Sequence, residues 1–107
     1  MIDTGGTILA AAKLARKRGA RRVFVCATHG LFSNKEGQPP IESRFVEEDF
    51  TVVITNTIPR DKNYLDKNSD WLHVAPINDL LVKAIYESTL SGGSVSSLFD
   101  DKQRHLR

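Results

Sequence analysis

Residues 3–27 read Asp3-Thr4-Gly5-Gly6-Thr7-Ile8-Leu9-Ala10-Ala11-Ala12-Lys13-Leu14-Ala15-Arg16-Lys17-Arg18-Gly19-Ala20-Arg21-Arg22-Val23-Phe24-Val25-Cys26-Ala27. Residues 7–18 are rich in Ala, Leu, Lys and Arg, which favour helix, and Ile8, Ala11, Ala12 and Ala15 are spaced to line one face. Arg16, Lys17 and Arg18 fall in the last turn, where cations suit the negative end of the helix dipole. Gly19 supplies a left-handed residue to end the helix. The continuous apolar run 22–27 follows at once and suits a strand covered on both faces, as in a parallel sheet. A turn, a helix, a glycine stop and a buried strand in that order point to an α/β fold with a parallel sheet.

The rest of the chain repeats the alternation. Ser33–Pro40 has loop composition, a short helix is expected over about 41–48, and 51–55 is a second buried strand. Residues 56–69 are polar and expected to be mostly loop, and 71–74 form a third strand. Over 77–90, Ile77, Leu80, Leu81, Ala84, Ile85 and Ser88 mark one helix face, with Pro76 in the first turn and Gly92-Gly93 ending it. Ser94–Phe99 reads as a short extended tail, and 100–107 as a charged tail expected to fray. Because a parallel sheet needs a strand before the opening turn, the sequence is expected to be part of something longer. Residues 1–99 would form one domain, incomplete at its N-terminal side.

Composition narrows the function classes. The chain has 107 residues, 40% hydrophobic and 26% charged, as ordinary globular domains have. A net charge of +2 does not by itself imply a nucleic-acid or membrane partner. One cysteine excludes an internal disulfide framework and a multi-thiolate zinc site, and fits a reducing compartment. No apolar stretch approaches a membrane span, and the first residues lack the pattern of a signal peptide. A cytoplasmic location is expected.

Asp3-Thr4-Gly5-Gly6-Thr7 is the best local candidate for chemistry. The glycines let backbone approach a ligand closely, and the following helix offers free N–H groups and a positive dipole end to an anion. The threonine hydroxyls add donors, and Asp3 can accept from sugar hydroxyls or hold a hydrated Mg²⁺. The competing reading is an ordinary helix start capped by Asp3 or Thr4. Arg16, Lys17, Arg18, Arg21 and Arg22 form a basic cluster without interleaved aromatics, which reads as solvated surface. His29 sits directly after a strand, where ligands gather in α/β sheets; it is either a catalytic or ligand-contacting group or a hydrogen-bonded loop histidine. His73 and His105 have no partner at metal-ligand spacing. Cys26 reads as an inert buried thiol.

The run Met1–Thr7 resembles the second half of the phosphoribosyl-diphosphate signature of type I phosphoribosyltransferase folds. Ala27-Thr28-His29-Gly30-Leu31-Phe32-Ser33, Val53-Ile54-Thr55-Asn56-Thr57-Ile58-Pro59 and Ser94-Val95-Ser96-Ser97-Leu98-Phe99 narrow the likeness. In this order the four stretches are similar to the C-terminal third of the ribose-phosphate diphosphokinase family. The resemblance implies a Rossmann-like parallel α/β domain. It also implies an Mg²⁺-assisted transfer of the diphosphoryl group of ATP to the C1 hydroxyl of ribose 5-phosphate, serving nucleotide biosynthesis. It places ribose 5-phosphate on Asp3, Thr4, Gly5, Gly6 and Thr7. It places regulatory phosphate or ADP on Ser94, Val95, Ser96, Ser97 and Phe99, and it implies a homo-oligomer, a hexamer built from dimers. The family's acidic pair, ATP site and catalytic basic residues would precede Met1, so the chain alone is expected to be inactive. Residues 34–40 depart from the family's Ser-Gly-Pro-Ala continuation. A non-catalytic, synthetase-associated regulatory protein binding phosphate or nucleotide is the alternative, and the residues before Met1 would discriminate.

Overall fold

A computed structural model describes residues 1–100. They fall into two compact units, one spanning Met1–Ala75 and one beginning at Pro76.

In the first unit the order is α1 (Gly6–Lys17), β1 (Phe24–Ala27), α2 (Ile41–Glu47), β2 (Thr51–Thr55), α3 (Lys62–Lys67) and β3 (Leu72–Ala75). The three strands are parallel, in the order β1-β2-β3. The sheet aligns Val25 with Val52 and Val52 with Leu72, so one face carries a row of buried apolar side chains. Leu9 and Ala12 of α1, with Ile41 and Phe45 of α2, join the same core. Each fully buried aliphatic or aromatic side chain is worth roughly 1.5–3 kcal/mol relative to exposure. Phe45 lies between two other rings, stacked on Trp71 with centroids 5.6 Å apart and edge-on to Phe32 at 6.3 Å.

Several sequence expectations need correction. The apolar run of β1 is not covered on both faces: Phe24 and Cys26 are exposed while Val25 is buried. Cys26 shares its register row with Val53 and His73 on the less covered face, so it is no buried thiol. The buried stripe of α1 is Leu9 and Ala12, with Ile8 packed against it, whereas Ala11 and Ala15 are exposed. Gly19 ends α1 as expected, at φ 101°; its N–H and that of Ala20 donate to the carbonyls of Arg16 and Ala15.

Residues 56–69 contain α3, which the polar composition concealed. The Asp61 carboxylate caps it by accepting from the Tyr64 N–H at 2.8 Å. Tyr64 and Leu65 pack on the core. Buried Asn68 then ties α3 to β3: its side-chain oxygen accepts from the Trp71 indole at 3.0 Å, and its amide nitrogen donates to the Tyr64 carbonyl. The Tyr64 hydroxyl donates to Glu42 at 2.9 Å; burial, that bond and the nearby carboxylate charge push its pKa well up.

The second unit contains α4 (Asn78–Thr89) and a 3-10 helix, Val95–Phe99. Helix α4 starts two residues after Pro76, and none of its residues is buried. The extended tail expected over Ser94–Phe99 is helical instead. Its serines bond their own backbone, Ser97 donating through both N–H and Oγ to the Ser94 carbonyl, which favours a turn over a strand. The charged tail expected over 100–107 lies outside the described residues from 101 onward, as does His105. Among the described residues no helix is long and apolar enough to cross a membrane.

Candidate functional site

Ile2 makes a single parallel bridge beside β1. Its N–H donates to the His29 carbonyl and its carbonyl accepts from the Leu31 N–H, both at 2.8 Å. That bridge aims the turn Asp3–Thr7 at the C-terminal end of the sheet, where open parallel sheets receive ligands. Gly5 sits at φ 74° as the residue preceding α1, and a Cβ there would collide with the Ile41 side chain. A Cβ at Gly6 would meet nothing within 4 Å. The two glycines therefore do different work: Gly5 is demanded by the fold, and Gly6 leaves open space at the helix start.

Neither Asp3 nor Thr4 caps α1. The helix has no side-chain cap bond and no acidic residue in its first turn. Its leading N–H groups lack intrahelical acceptors, as at any helix start, and face a concavity of about 350 Å³ lined by Met1 through Ile8 and Ala11. Uncapped donors, a positive dipole end and an open glycine together fit an anion. Sequence reasoning missed Arg44. From α2 its guanidinium donates to the Thr4 carbonyl at 3.4 Å and to the Gln38 side chain at 3.1 Å, adding a cation under the turn.

The next loop contributes His29 and a set of threonines. His29 Nδ1 lies 2.7 Å from Thr57 Oγ1, and the Thr55 and Thr57 hydroxyls both donate to the Thr28 carbonyl, at 2.6 and 3.1 Å. Beyond His29 the chain bends sharply. Phe32 takes φ 57°, a left-handed conformation costing a non-glycine residue about 1–3 kcal/mol. Arg60 holds that bend, one guanidinium nitrogen donating to the carbonyls of Gly30 and Leu31 at 2.6 and 2.7 Å. The same guanidinium lies over the Phe32 and Tyr64 rings.

A larger concavity, about 810 Å³, lies between α2, α3 and the starts of β2 and β3. It faces the N-terminal ends of the strands and is walled by Glu42, Glu47, Asp49 and Asp70, which disfavours an anionic ligand. Of the basic cluster, Arg16 is half-buried over the Phe50 ring and donates to the Asp49 carbonyl; Lys17, Arg18, Arg21 and Arg22 are exposed. In the second unit, Ser94, Val95, Ser96 and Phe99 are exposed, and Ser97 is half-buried. The Ser94 N–H donates to Glu87 at 3.4 Å. Among the described residues no three His, Cys, Asp or Glu side chains come together as a metal cage.

Comparison with known proteins gives a consistent result. The model of the phosphoribosyl synthetase-associated domain matches residues 1–100. Ribose-phosphate pyrophosphokinase from Nostoc sp. is 43% identical over 100 residues, covering 92% of this chain and 28% of the relative. The enzyme of the same name from Prochlorococcus marinus is 41% identical over 101 residues, again covering 92% and 28%. Among solved structures, phosphoribosylpyrophosphate synthetase from Mycobacterium smegmatis superposes with a TM-score of 0.62 at 38% identity, over 82% of this chain and 28% of that one. The chain thus spans a little over a quarter of the length of the relatives it matches.

Proposed function

Because the chain belongs to the phosphoribosyl synthetase-associated domain family, we propose that it supplies the sugar-phosphate loop of a ribose-phosphate diphosphokinase. In that reaction the C1 hydroxyl oxygen of ribose 5-phosphate attacks the β-phosphorus of ATP. The bond from that phosphorus to the α–β bridging oxygen breaks, AMP leaves, and the hydroxyl proton is lost. Phosphoryl chemistry of this kind depends on positioning and charge neutralisation. This chain's share is positioning: Asp3, Thr4, Gly5, Gly6 and Thr7 hold ribose 5-phosphate, the backbone N–H groups and threonine hydroxyls donating to the phosphate and Asp3 accepting from a sugar hydroxyl. Carrying the reading is the start of α1, uncapped, free of acids and open at Gly6.

Magnesium chemistry finds no cage in these residues. Asp3 alone offers a carboxylate at the turn, so no step is routed here through Mg²⁺. ATP is likewise assigned no residue of this chain, and the chain alone has no diphosphokinase activity in this reading. The two relatives named above carry the enzyme's name, which favours the enzyme over the regulatory alternative.

Gly6→Val tests the assignment. A Cβ at this position meets no protein atom within 4 Å, so the melting temperature should hold, while the chain's affinity for ribose 5-phosphate measured by calorimetry falls by about tenfold or more. Unchanged affinity would remove the phosphate from this turn.

Resemblance supports a second site of phosphate or ADP regulation at Ser94, Val95, Ser96, Ser97 and Phe99, in a hexameric assembly. Ser96→Ala in a complete synthetase carrying this segment should blunt phosphate activation or ADP inhibition in steady-state assays. An unaltered response to both effectors would return the segment to a structural role.

A further inference from the structure

The hydroxyl ladder behind His29 fixes more than a loop. A carbonyl only accepts and a threonine hydroxyl has one proton to give. The 3.1 Å contact between Thr57 Oγ1 and the Thr28 carbonyl is a bond only if Thr57 donates there. Thr55 spends its proton on the same carbonyl at 2.6 Å, and its oxygen in turn receives the Thr57 N–H at 3.4 Å. Thr57 Oγ1 then has a lone pair, and no proton, for His29 Nδ1 at 2.7 Å. With Thr57 donating to the Thr28 carbonyl, Nδ1 carries the hydrogen. In the neutral ring Nε2 is left with its lone pair, and no protein group among the described residues bonds it.

His29 stands beside the turn, because its carbonyl accepts the N–H of Ile2, one residue before Asp3. From this placement we infer that His29 is a second ligand-binding group of the site: its Nε2 accepts a hydrogen bond from a hydroxyl of the sugar phosphate held at Asp3–Thr7. Thr57 is the residue that positions the ring and sets its tautomer. The chemistry selects a hydroxyl over a phosphate oxygen, since an unprotonated nitrogen and a phosphate oxygen are both acceptors. The site then distinguishes a sugar phosphate from inorganic phosphate. This inference rests on the sugar-phosphate reading above.

Nitrogen-15 NMR of the 107-residue chain tests it, with His29→Gln used to assign the ring signals. The expected spectrum at a pH where the ring is neutral shows His29 protonated on Nδ1. Ribose 5-phosphate should shift its Nε2 together with the amides of Gly6 and Thr7, whereas inorganic phosphate should move the amides only. His29→Ala should weaken ribose 5-phosphate roughly three- to tenfold, the worth of one neutral hydrogen bond, and leave phosphate affinity unchanged. Thr57→Val should scramble the tautomer and weaken ribose 5-phosphate similarly, and Thr57→Ser should restore both. A ring protonated on Nε2, or equal losses for sugar phosphate and phosphate, would overturn the assignment. If ribose 5-phosphate moves neither the loop amides nor His29, the sugar-phosphate reading itself fails.

Discussion

Gly5→Ala should destabilise the chain by about 2–5 kcal/mol, while Gly6→Ala, one position on, should cost nothing measurable. Two terms add at Gly5. Its φ of 74° is left-handed, which costs an L-residue roughly 1–2 kcal/mol. Its Cβ would also land on the Ile41 side chain, itself only 1% exposed, and overpacking of this kind costs about 1–3 kcal/mol. Ile41→Val removes the colliding Cδ1 but keeps a Cγ within 3 Å of the added Cβ, so the double variant should recover most of the steric part and keep the backbone part, a coupling that urea titration of all four proteins would resolve. Equal stability of Gly5→Ala and Gly6→Ala would mean that the turn is built differently.

Phe45→Ala should cost about 3–5 kcal/mol, a large share of the roughly 5–15 kcal/mol that holds an ordinary domain together. Phe45 is fully buried between the rings of Phe32 and Trp71, and truncation opens a void that neither ring can close without leaving its own contacts. A fall in melting temperature of roughly 15 °C or more is expected. Val46→Ala is the control: Val46 is 57% exposed on the same helix and should change stability by less than about 0.5 kcal/mol. A Phe45→Ala melt matching the Val46→Ala melt would sink the claim that these rings anchor the core.

The parallel α/β order was legible from residues 3–27 because propensity, dipole charge and the glycine stop at Gly19 agree there. Helix α3 was hidden by its composition, yet a clue existed. Two parallel neighbours such as β2 and β3 need a crossover between them, and Asp61 stands three residues before Tyr64 as a cap. The coverage of β1 was misjudged because an apolar run shows which side chains tolerate burial, not how many faces are packed. Phe24-Val25-Cys26 looks uniform in sequence, but only Val25 is buried. At the tail, serine chemistry won over the extended reading, since Ser97 bonds the Ser94 carbonyl twice.

Of the site, the turn Asp3–Thr7 was visible from glycine spacing and the helix after it. What spacing could not assign was the division of labour between the glycines, which depends on Ile41, thirty-six residues away from Gly5. Arg44 and Arg60 were out of reach for the same reason: each acts on a backbone carbonyl of a distant loop. His29 was singled out by its place after a strand, but its tautomer needed Thr55 and Thr57 from the next strand's end.

A crystal structure of the chain grown with ribose 5-phosphate tests the central claim most directly. The phosphate is expected at the start of α1, its oxygens accepting from the Gly6 and Thr7 N–H groups at about 2.7–3.2 Å. A sugar phosphate seated instead against Arg18, Arg21 and Arg22, with the turn empty, would contradict it.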